Sequence, residues 1–403
     1  MSLNLELIKS KSTIETVTIA IVSFILSLLS VLVLTYVFEA MGYPINRSQL
    51  IKYGLFDVLS NRKNIYGLLA FATPLIFTGL AVAIAFQAGL FNIGGQGQMA
   101  MGACYGAIWA AVIGPQILPD FMVKSAFVMI LSTMIIGFIG GAIWGFIPGV
   151  LKAKTGAHEV ITTIMMNFVA SAWIRYLVGS QTYSPYVDKT SINANSQTDI
   201  ITPAAQLHPL TSYSTKFTVA FFIAIIVIFI IHFLMSSTTF GYRIRAVGFN
   251  SKAATSAGIN VDRMTILSMT LSGGLAGLGG VLYVMSVSPY RYYIGGEGTI
   301  GFDGIAVALI AQNAALAIGV AAIFFGFLYQ SANNIDFKTD QRPEIIYVVQ
   351  AFVILFVAAP VIARSLIRAF RVDREAHAEL KRIANESIDN SERMDANIKE
   401  AEK

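Results

Sequence analysis

Long apolar runs separated by short polar stretches occupy most of this chain. A helix needs about 20 apolar residues to cross a bilayer. The runs that approach this length are Val17–Phe38, Tyr66–Leu90, Gln98–Gly114, Ser125–Leu151, Glu159–Gly179, Phe217–Met235, Met264–Val287, Ile300–Ala311, Ala315–Tyr329 and Ile345–Ile367. The pattern predicts an all-α integral membrane protein of about ten transmembrane helices. The third and eighth runs are short and lie beside glycine-rich segments, the mark of broken helices.

Those two segments are related. Residues 93–99 read IGGQGQM and residues 294–300 read IGGEGTI. Glycines and amides cost several kcal/mol each where lipid surrounds them unpaired, so they persist at membrane depth only against protein or water. Spans three to seven separate the copies, which puts the first on the inner face and the second on the outer face. This is the arrangement of an inverted-topology repeat. Each copy precedes a short helix. Gln96 and Gln98 line the first; Glu297 and Asp303 line the second, with Asp303 in the first turn, where the helix dipole favours an anion.

Other polar side chains inside spans extend the set of pathway candidates. Asn92, Asn167 and Asn313 offer amides, and Trp109 offers a flat aromatic face. Amides bind a neutral hydroxylated or heterocyclic solute without fixing a charge. The competing role for each is a hydrogen bond between helices. Gly137, Gly141, Gly145 and Gly149, with Gly102 and Gly106 and with Gly273 and Gly277, recur every four residues and form faces for close helix contact.

The segment 236–263 is the most informative polar loop. Ala253, Ala254 and Ala257 form a small apolar face on a helix of about two turns, and Gly258 ends it. Arg243, Arg245, Lys252 and Arg263 surround it. Such a face is too weakly apolar to be core and suits a partner's groove.

Composition agrees with a membrane class. The 403 residues are 55% hydrophobic and 13% charged, against about 25% charged in soluble proteins. The larger share of the Lys and Arg residues falls on the side of the 236–263 loop and the tail, which makes that side and both termini cytoplasmic. The +5 net charge therefore reflects membrane orientation and not nucleic-acid binding. No cleavable signal peptide is expected; Val17–Phe38 reads as a retained first span. The reading divides the chain into a cytoplasmic segment 1–16, a transmembrane region 17–370 with an extracellular loop at 180–216, and a charged cytoplasmic tail 371–403. The single cysteine, Cys104, allows no intrachain disulfide. No GxxxxGK[ST], zinc spacing, nucleophile elbow or pair of catalytic carboxylates occurs, so the chain is expected to be a non-enzymatic transport subunit that binds no cofactor.

FNIGGQGQMAMGA, TFGYRIRAVGFNSKAATSAGI followed by LSGGLAGLGG, and GFDGIAVALI together resemble permease subunits of ATP-binding-cassette importers, in the branched-chain amino acid, ribose and simple-sugar permease family. The resemblance covers roughly 66–360. FNIGGQGQ and GAHEVITTIMMNFVA look most like the nucleoside-uptake branch. It implies a type II importer-like fold of ten spans with inverted repeats, placed in a bacterial cell membrane. It also implies ATP and Mg on a separate ATPase, a second, non-identical permease subunit and an extracellular substrate-binding lipoprotein. The ATPase would grip the coupling helix around Lys252–Ile259, with Arg245, Asn250, Lys252, Ala253, Ala254, Ala257, Gly258 and Ile259 at the contact. The alternatives are a simple-sugar permease and an ion-coupled secondary transporter with a buried ion site at Asp303 or Glu297.

Overall fold

The computed structural model describes residues 52–180, 182–189, 196–212 and 216–339, with a few isolated positions outside these ranges. The expected spans Val17–Phe38 and Ile345–Ile367 lie almost wholly outside the described residues, as do 1–16 and 371–403. Contacts divide the chain into two units, 1–40 with 348–403, and 41–347. The helices below belong to the second.

Ten helices carry its architecture: α1 (Arg62–Gln87), α2 (Gly95–Ile108), α3 (Ala126–Thr155), α4 (Glu159–Val178), α5 (Ala220–Ser237), α6 (Thr239–Phe249), α7 (Ser251–Ser256), α8 (Val261–Ser286), α9 (Ile300–Ile310) and α10 (Ala315–Lys338). Among the described residues, seven helices are long and apolar enough to cross a membrane, and α9 is a shorter apolar helix. Among the described residues the only β pairing is an isolated bridge between Gln197 and Tyr293. The protein is an all-α membrane protein.

Two boundaries differ from the sequence expectation. The third span is not short: it runs Gly95–Ile117, 23 residues, passing through a π-helical turn at Trp109–Ile113. Its glycine- and amide-rich start joins the helix because Gly95, Gly97 and Gln98 are buried in protein and not in lipid. The helix expected to end at Tyr329 continues to Lys338 because its polar residues find partners. Gln330 Nε2 donates to Asn334 Oδ1 at 2.9 Å and to Asn64 Oδ1 at 3.3 Å, and Asn334 Nδ2 donates to Asp57 Oδ2 at 3.3 Å.

The glycine stripes set the packing. Gly137, Gly141 and Gly145 of α3 lie against Gly273, Gly277 and Val281 of α8, backbone on backbone. A Cβ on Gly141 would overlap the carbonyl oxygen of Gly273, and one on Gly102 of α2 would overlap Gly277, so three helices share one crossing. In lipid such close contact supplies the dispersion energy that the hydrophobic effect cannot. The outward faces of α4 and α5 are apolar, with Ile161, Phe168, Phe229 and Phe233 exposed, as lipid contact requires.

The long pair α1 and α8 run antiparallel. Ser272 Oγ donates to the carbonyl of Ala81 at 2.6 Å, and further along α8 Gly279 meets Phe77. Gln87, at the end of α1, abuts Gly248 beside α7, so α1 ends on the side where α8 begins. The loop 88–94 leaves that side to start α2. The loop 287–299 leaves the opposite side to start α9. This is an inverted repeat built from α1–α2 and α8–α9.

Residues 196–212 are tied to the second of these loops. Thr198 and Ile201 donate their amides to the carbonyls of Tyr292 and Tyr290, at 2.8 and 2.9 Å. Arg291 pairs with Asp188 at 2.7 Å, both side chains largely buried. The described part of the 180–216 loop is thus a clamp on the second repeat and not a loose linker. Burial, and then the neighbouring Asp188 carboxylate, raise the pKa of Asp199 above the ordinary aspartate value. In the first turn of α4, Glu159 pairs with Lys152 of α3 at 2.8 Å.

Candidate functional site: where the two repeats meet

The two glycine-rich copies enter from opposite sides, yet they do not stay on opposite faces. They touch. Gln96 Nε2 donates to the carbonyl of Gly298 at 2.7 Å, and Gln96 Oε1 accepts from the amide of Gly301 at 2.9 Å. Both loops re-enter, because the glycines let backbone approach backbone: a Cβ on Gly301 would overlap Gln96. Thr78 Oγ1 reaches the carbonyl of Ile300 at 3.3 Å. Thr78 lies nine residues from the end of α1, or about 14 Å at 1.5 Å per residue. The start of α9 is therefore well inside the span.

Under the first copy lies a closed amide network. Asn92 Nδ2 donates to Gln98 Oε1 and Ser272 Oγ, both at 2.8 Å, while Asn92 Oδ1 accepts from Gly94 N at 2.9 Å and Gln98 Nε2 at 3.2 Å. Asn167 accepts from Gly97 N at 2.8 Å and donates to the Ile93 carbonyl at 3.1 Å. Asn92 and Gln98 are each 1% exposed. These amides hold the re-entrant loop in place and have little capacity left for a solute. Trp109 Nε1 likewise donates to Ser132 Oγ at 3.0 Å.

The second copy is more open. Gly298 and Thr299 are exposed, and Phe302 is 41% exposed. Half-buried Asp303 accepts from Thr299 Oγ1 at 3.0 Å and from the Tyr329 hydroxyl, both on Oδ2. Tyr329 stacks on Phe71 of α1 at 5.6 Å between ring centroids. Glu297, the residue equivalent to Gln96, turns inward instead: it is 8% exposed and its Oε2 has no hydrogen-bond partner. Polar groups exposed at this depth cannot face lipid, so they face a watery path or a protein partner.

Asn313 does not join this cluster. It sits in the turn between α9 and α10 with φ of 59°, and its carbonyl accepts from Gln87 Nε2 at 2.7 Å. It lines a groove of about 630 Å³ with Gln87, His232, Arg245 and Phe249, on the side of α7.

The 236–263 segment folds into α6 and α7 with a sharp junction. Asn250 caps α7 by accepting from Ala253 N at 3.0 Å, and Gly258 follows the helix with φ of 78°. Lys252, Ala253, Ala257 and Gly258 are exposed, and Arg245 and Ile259 are half-buried. Ala254 departs from the expected outward alanine face. It is 3% exposed and turned into its own chain: Ala253 lies about 100° away around the helix, and Ala257 falls past the end of the six-residue helix and so does not continue its face. Sequence reasoning missed Phe249, which is 89% exposed at the junction. Its only signal was an aromatic residue set between Gly248 and Asn250 in an otherwise polar loop.

The profile of a family described as the permease component of branched-chain amino acid transport systems matches residues 64–358. The guanosine ABC transporter permease protein NupP of Bacillus subtilis is 37% identical over 289 residues, 71% of this chain and 78% of that protein. The nucleoside ABC transporter permease protein NupB of Lactococcus lactis is 36% identical over 314 residues, 77% of this chain and 83% of that protein. The glucose ABC transporter permease protein of Haloferax volcanii is 29% identical over 310 residues, 75% and 79% of the two chains. No solved structure matches. With the family profile spanning most of the chain, and with re-entrant repeats between long apolar helices, this chain is a multi-pass membrane protein that belongs to the branched-chain amino acid transport permease family.

Proposed function

We propose that this chain is a membrane-spanning subunit of an ATP-driven importer that carries nucleosides inward by alternating access. The observation that carries the substrate reading is the 36–37% identity, over most of both chains, to permeases named for guanosine and nucleosides. A pathway face of hydroxyl and carbonyl groups with one carboxylate suits a neutral, hydroxylated solute.

The chain itself binds no nucleotide in this reading; ATP and Mg act on a partner ATPase. The ATPase docks on the exposed surface of α6 and α7, with Arg245, Asn250, Lys252, Ala253, Ala257, Gly258, Ile259 and Phe249 at or beside the contact. Closure of the ATPase domains moves α7, and the movement passes to α5 and α8 on either side. Coupling requires that the partner hold the two states of the permease with different affinity. A second permease subunit completes the pathway, and an extracellular lipoprotein delivers the solute. Both termini lie in the cytoplasm, and the membrane is the bacterial cell membrane.

Uptake of labelled uridine by cells lacking this chain, with and without a plasmid copy, tests the substrate. Loss and rescue, with competition by unlabelled nucleosides and not by ribose or glucose, is the expected result. Competition by the sugars alone favours a sugar permease, the reading suggested by the glucose relative. Uptake that continues without ATP favours an ion-coupled carrier.

A further inference from the structure

We infer that Asp303 reads the ribose hydroxyls of the solute through its free carboxylate oxygen, an inference that rests on the nucleoside reading above.

Asp303 lies in the first turn of α9, well inside the span. Both of its hydrogen bonds, from Thr299 Oγ1 and the Tyr329 hydroxyl, fall on Oδ2. Oδ1 accepts from neither. Among the described residues no basic side chain pairs with this carboxylate. A carboxylate held by two hydroxyl donors, with its second oxygen open, is a strong acceptor for a further neutral donor. A metal ion fits poorly: Oδ2 is already occupied by donors, and among the described residues no group of three His, Cys, Asp or Glu side chains surrounds any point. A positively charged solute is not required either, because the dipole at the start of α9 already offsets part of the charge.

The surroundings match a ribose in particular. Thr299 places a hydroxyl on the carboxylate, and Phe302, next to Asp303 in the same turn of helix, has an exposed ring. A solute with a sugar edge and a flat base meets a polar edge and a ring here. The ribose is the part that all ribonucleosides share, so a contact there admits many bases while rejecting sugars that lack the hydroxyls. Glu297 does not supply this contact, since it is 8% exposed and its Oε2 is enclosed.

The test compares uptake of labelled uridine and 2′,3′-dideoxyuridine in cells lacking the chromosomal copy, carrying either the wild-type chain or Asp303→Asn, with membrane levels matched by immunoblot. A hydrogen bond to a charged group contributes about 1.5–3 kcal/mol. The wild type should therefore favour uridine, and D303N should raise the KM for uridine about tenfold or more while leaving that for dideoxyuridine unchanged. An unchanged ratio in D303N overturns the inference, as does a wild type that takes up both compounds equally. A change in discrimination between guanosine and inosine, with no change between ribo and dideoxy forms, overturns it too, and assigns Asp303 to a base N–H. If D303N fails to reach the membrane, Thr299→Val and Tyr329→Phe, which each remove a bond to Oδ2, are expected to shift the uridine KM in the same selective way; no selective shift in either contradicts the inference. Absence of any wild-type uridine uptake would instead overturn the nucleoside reading itself.

Discussion

The Gln96 side chain grips Gly301 from the other half of the molecule, accepting its backbone N–H at 2.9 Å while donating to the Gly298 carbonyl at 2.7 Å. One amide thus bridges two segments some two hundred positions apart in sequence, and it can do so only because it both donates and accepts. Glu297, in the equivalent place of the second copy, could not return the contact as a carboxylate, which only accepts. The two repeats are therefore alike in backbone and unlike in chemistry: the first is closed by its own amides, and the second is left open.

Gln96→Glu should break this bridge on the Gly298 side, setting two acceptors against each other, while Gln96→Leu removes both bonds. Gln96→Leu leaves the buried Gly301 N–H unpaired, at a cost of about 1–3 kcal/mol, whereas Gln96→Glu loses only the bond to the exposed Gly298 carbonyl and should cost less. Both variants should lower the thermal unfolding midpoint of the detergent-purified chain, and both should slow transport. Unfolding midpoints identical to wild type would show that the bridge does not hold the repeats together.

Gly277→Val should destabilise more severely. Gly277 lies between the backbones of Gly137 and Gly141, and the added side chain has nowhere to go. Overpacking a tight contact costs about 1–3 kcal/mol and more where backbone must move. Immunoblots of membranes should show little or no protein. Normal levels with normal uptake would contradict the α3–α8 crossing.

Arg291→Gln should free the clamp on the second repeat. Removing one partner of a buried ion pair costs about 3–5 kcal/mol, and Asp188 would be left with Asp199 beside it. Residues 196–212 should become sensitive to added protease in intact spheroplasts. The pH dependence has a definite sign. Asp199 has a raised pKa, so its protonated form is favoured in the folded clamp, and the clamp loses stability as pH rises from the unfolded-state pKa through the folded one. Asp199→Asn should remove that acidic-range dependence. A protease pattern unaffected by either change would contradict the clamp.

At α7 the structure separates two alanines that the sequence grouped together. Ala257→Arg, on the exposed side of α7, should abolish uptake with membrane levels intact. Ala254→Arg, at a buried position, should lower the protein level itself. Phe249→Ala should weaken stimulation of the ATPase and leave folding unaffected. Equal membrane levels for the two arginine variants would contradict the orientation of α7.

Much of this was legible in the sequence because lipid imposes a strict rule: backbone must pair within helices, so spans announce themselves as apolar runs. The eight central runs each have a helix, and the glycine stripes pack where four-residue spacing places them. The helix end at Gly258 follows from local backbone chemistry and was equally readable; the Asn250 cap came only with the structure. Tertiary geometry was not. The copies of the repeat were placed on opposite faces because sequence order counts crossings, and counting cannot show that both loops fold back to the middle. Asn92 and Asn167 stayed open between a solute contact and a hydrogen bond between helices, and Gln98 was placed on the pathway, since a sequence does not reveal which polar groups satisfy one another. Ala254 pointed outward in a two-turn helix, whereas α7 spans six residues and turns that position inward.

The central claim is that this chain forms part of an ATP-driven nucleoside path. The most direct test reconstitutes the chain with its permease partner, ATPase and lipoprotein in sealed proteoliposomes and follows labelled uridine with ATP and Mg supplied on the ATPase side. The account predicts vectorial uridine transport that requires hydrolysable ATP, is competed by other ribonucleosides and is lost with Ala257→Arg. Uridine movement that proceeds equally without ATP, or an ATP-driven complex that ignores nucleosides, would contradict it.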